Sequence, residues 1–311
     1  MCDPRLRKGG HFFMSKKNNF MLCAVTALFV TSCSPVNDDF IYHYEPTFAL
    51  IDTTNIEVNK LIVGMECNYS PFNWTDNSDN DYNLAIRNIG GSFADGYDVQ
   101  IAALLGKALN MEAEIIKENW ESLVPDVQTN TINLVLAGMT DTEERRKSID
   151  FSDEYYRSEL VLITKKDTSS LYNSVLTSEE VKTLLNNKSI ISQVSTVTND
   201  VIETFVSNYN AIHLSPLGTF AECAIDVSNG LAFAMTAEYP VAQAIVSSNP
   251  SLGIIRISQD ILGVDLSELG VSIGIKKGND NLKRCINEAL SYISQDLRNL
   301  MMSEAVTRSG E

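Results

Sequence analysis

From Leu61 onward the chain alternates short apolar runs with stretches of helical spacing, which restricts it to layered α/β architectures. LIVGM (61–65) reads as a buried strand. Asp98 is placed to cap a helix whose apolar positions Ile101, Leu104, Leu105, Ala108 and Leu109 recur at helical intervals. AEIIK (113–117) follows as a strand and completes a βαβ unit, which builds parallel sheets with ligand sites at the strands' carboxyl ends. Leu160 to Thr164 is a strand. A second set follows, with SIISQV (189–194), a helix at 198–207, LAFAMTA (231–237), a helix at 240–247 and GIIRIS (253–258). VSIGIKK (271–277) is a further strand, and residues 279–302 read as one long amphipathic helix through Leu282, Ile286, Leu290, Ile293 and Leu297. Two α/β sets joined near 163–166 and 268–271 predict two lobes with two crossovers.

The 311 residues are 44% hydrophobic, enough for two packed cores. A formal net charge of −16 argues against nucleic acid as a partner, because phosphate contacts need a basic surface. Lys16 and Lys17 precede an apolar run from Phe20 to Val30, and Val30-Thr31-Ser32 leads into Cys33. A basic segment, an apolar segment and small residues before a cysteine make a secretory signal over 1–32 of lipoprotein type, with Cys33 the lipidated residue. Met14 is an alternative start, which would make residues 1–13 an upstream extension. Cleavage before Cys33 removes five basic residues and one acid, moving the formal charge from −16 to −20. Residues 33–56 are polar and weakly patterned and read as a tether. Cys67, Cys223 and Cys285 are odd in number and lack metal-ligand spacing, so they are expected as buried free thiols.

NLVLAGMTDTEERRKSIDFSDEYY (133–156) carries the most chemistry. An apolar run through Ile132, Leu134 and Leu136 ends at Gly138, where the backbone can approach a ligand. Thr140 with Glu143 fits a capping box, predicting a helix that starts near Thr140 with free N–H groups facing an anion. Arg145 lies one turn in, and its planar fork can hold a carboxylate through two parallel hydrogen bonds. The alternative is a solvated helix start in which Arg145 and Arg146 pair with Glu143 and Asp150.

Three segments together resemble the polar amino-acid branch of the extracellular solute-binding proteins of family 3, over about residues 57–305. They are GMECNYSPFNW (64–74), GYDVQIAALLGKAL (96–109) and residues 120–156, with NGLAFAMTAEYPVA (229–242) and GVSIGIKKGN (270–279) in support. The resemblance implies a type II periplasmic-binding-protein fold, two α/β lobes joined by a two-strand hinge with the ligand in the cleft. It places lobe 1 at 57–163 and 271–311, and lobe 2 at 164–270. By the same resemblance Arg145 grips a ligand carboxylate, Gly138 and Thr140 bond the carboxylate and amino group at the strand end, and Met139 between them belongs to the ligand-binding set. Glu238 holds the ammonium from the second lobe, Glu66 closes the first strand, Tyr69 stacks on the ligand and Trp120 lines the pocket. Gln193, Ser195, Thr196 and Thr198 supply the second-lobe loop.

The implied function is capture of a free polar or cationic amino acid and delivery to the permease and ATPase of an uptake ABC transporter, with a monomeric, lipid-anchored receptor, no cofactor, no metal and no catalytic residue. An amino-acid sensor with a separate signalling partner is one alternative. A dehydratase-type enzyme using Glu66 and Glu238 is another, since fold alone does not settle function. Two features depart from the family pattern. Ser195 stands where relatives often carry glycine, and residues 73–95 are longer and more polar than the usual hairpin. Asp76, Asp79 and Asp81 lack the register of a calcium loop, so a solvated loop is expected there.

Overall fold

A computed structural model describes residues 44–166, 170–264 and 269–310. The expected signal, Cys33 and the first part of the tether lie outside the described residues.

Two mixed sheets form the framework. The first runs in the order Glu112–Lys117, Lys60–Met65, Leu134–Val135, Gly270–Lys276, Ile149–Arg157. Its first three strands are parallel, and Gly270–Lys276 lies antiparallel between Leu134–Val135 and Ile149–Arg157. The second has the order Val175–Leu176, Leu252–Ile257, Leu160–Lys165, Ala234–Glu238, Ser189–Ile191, Ile212–His213. Strand Leu160–Lys165 is buried on both faces. Leu160 and Leu162 join the core beneath helices Ser178–Leu185 and Val197–Tyr209, while Val161 and Ile163 join the core shared with helices Phe220–Asn229 and Tyr239–Ser248. Alternation of side chains along the strand sends neighbours to opposite covered faces, which is why the run is continuously apolar.

The chain leaves the first sheet at Arg157 and enters the second at Leu160, earlier than the expected 163/164 boundary, because Leu160–Lys165 hydrogen-bonds to two second-sheet strands. It has rejoined the first sheet by Gly270, which pairs with Arg157.

Three local expectations differ from the structure. The C-terminal stretch is two helices, Asp280–Ser291 and Gln295–Arg308, and the Ser294 side chain accepts from the Leu297 amide to start the second. The polar stretch 73–95 contributes three of the four strands of a small antiparallel sheet, Asn68–Tyr69, Asn73–Asp76, Phe93–Asp95 and Leu84–Ala85. A buried pair from Arg308 to Asp95 (2.9 Å) pins that sheet to the last helix. Residues 44–58 have no strand or helix, yet Tyr44 and Ile51 are buried, Tyr44 hydrogen-bonds Glu304, and Phe48 meets Tyr292 edge-on at 6.0 Å. That half of the expected tether is packed on the first lobe. Cys67, Cys223 and Cys285 are buried free thiols.

Candidate functional site

Four strands end at the cleft. Lys60–Met65 delivers Glu66, Leu134–Val135 runs on to Gly138, Ser189–Ile191 leads to Gln193, and Ala234–Glu238 ends on its acid. In open α/β sheets ligands bind at such carboxyl ends.

Glu66, Tyr69, Trp120, Gly138, Thr140, Arg145, Gln193, Thr196 and Glu238 line one pocket. Val197 and Phe220 complete it and were not foreseen. The space between them is about 20 Å³ for the centre of a water-sized sphere, room for about one water. That space is smaller than a free amino acid requires.

Among the described residues, four hydrogen bonds cross the cleft. Tyr69 Oη donates to Glu238. Gln193 Nε2 donates to Glu66 Oε1 at 3.0 Å. The Ser195 carbonyl accepts from Arg145 Nη2 at 2.9 Å and from Trp120 Nε1 at 3.1 Å. Arg145 also donates from Nη1 to the Thr140 carbonyl at 2.7 Å and lies 5.2 Å from the centre of the Trp120 ring.

Several expected roles change. The helix carrying Arg145 is only Glu143–Arg146, and its cap is Thr142, whose hydroxyl accepts from the Arg145 amide at 3.3 Å. Thr140 instead supplies a carbonyl to the guanidinium. Arg146 pairs with Asp141 at 2.7 Å, and Arg145 donates to the Thr140 and Ser195 carbonyls, in place of the alternative in which it pairs with Glu143 or Asp150. Asp98 does not cap its helix. The cap is Gly96, and Asp98 is buried in the first turn.

Tyr69 was expected to stack on a ligand. Both its faces are covered, by Phe72 at 5.2 Å and 10° and by Phe220 at 4.9 Å and 30°. It offers the pocket its hydroxyl, and Phe220 brings the second lobe onto the stack. Met139, Ser195 and Thr198 are outside the lining. Met139 is buried, with its carbonyl accepting from the Ser272 amide. Thr198 is buried behind the loop, bonded to Ser192 and Thr196. Ser195 has φ +60, a left-handed conformation that glycine adopts without strain. In that conformation the serine turns its carbonyl to Arg145.

Burial raises the Glu66 carboxyl to about 7, opposed by the Gln193 hydrogen bond and the charge of Lys117. Burial also raises Glu238, opposed by the Tyr69 bond, its own backbone N–H and Arg145. Arg145 is pulled down to about 10 by burial, while Asp200, Glu238 and Asp141 favour its charge. A fixed cation on one lobe and a fixed acid on the other, both drawn out of water, suit a small zwitterion. Among the described residues no group of three or more His, Cys, Asp or Glu is placed to hold a metal, and no helix is long and apolar enough to cross a membrane.

The two sheets and the cleft define a two-lobed binding protein of the type II periplasmic-binding-protein fold. The chain belongs to the bacterial extracellular solute-binding proteins, family 3, whose model matches residues 61–301. The arginine-binding extracellular protein of Bacillus subtilis strain 168 is 34% identical over 109 residues, 35% of this chain and 37% of that protein. ABC transporter arginine-binding protein 1 of Escherichia coli K12 is 24% identical over 201 residues, 65% of this chain and 76% of that protein. The fold is shared with an amino-acid ABC transporter substrate-binding protein from Streptococcus pneumoniae bound to L-arginine. There the TM-score is 0.66 at 21% identity, covering 81% of this chain and 97% of that one.

Proposed function

We propose that this protein captures a free amino acid with a polar or cationic side chain outside the cytoplasm and delivers it to the permease and ATPase of an ABC importer. Arg145 takes the α-carboxylate, with the backbone at Gly138 and Thr140 beside it. Glu238 takes the α-ammonium, and Glu66 faces the side chain with Trp120. The carrying observation is that Arg145 and Glu238 reach one pocket from opposite lobes. A zwitterion bonded to both favours the closed arrangement by its differential affinity. The arginine-binding relatives and the buried Glu66 carboxyl support the cationic side of this range. The signal ahead of Cys33 supports a lipid anchor, and the family pattern a monomer. The lobes divide where the two sheets do.

Thermal unfolding of the purified protein against the twenty amino acids tests this, since a ligand of the native state raises the midpoint by mass action. A shift with one or a few amino acids is expected. Arg145→Ala is expected to remove it, because truncating one partner of a buried charged pair costs about 2–5 kcal/mol. No shift with any amino acid, after refolding to strip bound ligand, overturns the assignment.

A further inference from the structure

Asp98 is wholly buried and is not among the residues lining the pocket, although the amide of the lining residue Gly138 reaches its carboxylate. Its two carboxylate oxygens nevertheless lead to both first-lobe ligand loops. On one side the Cys67 amide donates to Asn73 Oδ1 (2.8 Å), and Asn73 Nδ2 donates to Asp98 Oδ2 (2.8 Å). On the other the Tyr155 hydroxyl donates to Asp98 Oδ1 (2.6 Å) and accepts from the Gly138 amide (3.2 Å). Cys67 and Gly138 are the turning points of the two loops, and both have left-handed backbone, with φ +49 and +58. For Cys67 that conformation costs about 1–2 kcal/mol and needs outside support. The loops also touch each other, since a side chain at Gly138 would place its Cβ 2.7 Å from Tyr69 Cε1.

We propose that Asp98 is a positioning residue for the ligand pocket, holding the loop of Glu66 and Tyr69 in register with the loop of Gly138 and Thr140. The inference rests on the reading of this pocket as the ligand site. Donation runs inward to Asp98 from both sides. The Cys67 amide and the Tyr155 hydroxyl are donors at its two ends, so the middle must supply acceptors to both, and Asn73 with Asp98 does so. Asp98→Asn keeps the shape and adds a donor. Whichever way its amide is turned, one buried donor then faces another, an arrangement that costs the desolvation of the unpaired group. Exchanging the two residues, Asn73→Asp with Asp98→Asn, restores an acceptor for every donor.

The test is backbone hydrogen exchange of the purified protein, with L-arginine affinity measured beside it. Asp98→Asn is expected to speed exchange at the Cys67 and Gly138 amides by about tenfold or more while strand Leu160–Lys165 keeps its protection, and to weaken L-arginine binding by a similar factor. The exchanged pair is expected to recover both. Should Asp98→Asn fail to fold, Tyr155→Phe carries the test by speeding Gly138 and leaving Cys67 protected. Unchanged local exchange in Asp98→Asn, uniform acceleration across the molecule, or no recovery in the exchanged pair would each overturn the proposal. If the wild type binds no amino acid, the pocket reading fails, and the exchange data still judge the network.

Discussion

Burial holds the Glu66 proton to a pH at which an exposed glutamate has lost it. The folded protein therefore binds more protons than the unfolded chain between the ordinary carboxylate range and about 7. Stability from neutral Glu66 is complete below the unfolded value and is lost as pH rises through 7, by roughly 3 kcal/mol at most. Asp98, raised by burial to about 7 against the pull of Tyr155, Asn73 and the Gly138 amide, contributes over the same window. Without added amino acid, Glu66→Gln is expected to flatten the fall in urea midpoint between pH 5 and pH 7.5. A fall as steep as the wild type's would show that Glu66 is not its source. A cationic side chain reverses the sign, because it needs the ionised carboxylate. L-Arginine affinity is expected to rise by up to about tenfold per pH unit and level off above 7, and a flat profile would place the cation elsewhere. Arg145, Glu66 and Glu238 were named through the family resemblance, and the fold brings all three to one pocket. The covered faces of Tyr69 could not be read from sequence, since Phe220 follows a capping Thr219 and reads as an ordinary helix start.

Regular elements were legible where one force dominates. The central strands are apolar on both faces, and helix Val197–Tyr209 has clear spacing, so both were placed within a few residues. Ambiguity entered where a local polar contact outranks periodicity. Leu290, Ile293 and Leu297 continue an apolar stripe across a true break, and only the Ser294 cap marks it. The two- to four-residue strands between Asn68 and Asp95 are too short to show alternation, and their sheet depends on pairing and on Arg308. Capping residues typically contribute about 1 kcal/mol. Ser294→Ala is expected to lower unfolding stability by about that amount and leave ligand affinity unchanged, as read by urea titration with and without L-arginine. A loss of affinity matching the loss of stability would mean that the last helix is coupled to the cleft.

At the scale of the whole molecule, the lobes are held together by contacts that a zwitterion would have to share or displace. Tyr69 satisfies Glu238, and the Ser195 carbonyl satisfies part of Arg145, so each charged group has a protein partner across the cleft. These partners lower the cost of burying Arg145 and Glu238, and on the proposed reading a zwitterion would replace them with stronger, oppositely charged bonds. Tyr69→Phe separates these contributions. It keeps the ring between Phe72 and Phe220 and removes the hydroxyl, leaving the buried Glu238 carboxylate short of one donor at a cost of about 1–3 kcal/mol in the closed form only. That is roughly a five- to hundredfold shift of the closing equilibrium toward the open form. Small-angle scattering without amino acid is expected to show a larger radius of gyration for the variant than for the wild type, and the two should converge when saturated with L-arginine. Equal radii without amino acid would mean that the Tyr69–Glu238 bond contributes nothing to closure. The aromatic stack and the Gln193–Glu66 bond would then be left to hold the lobes.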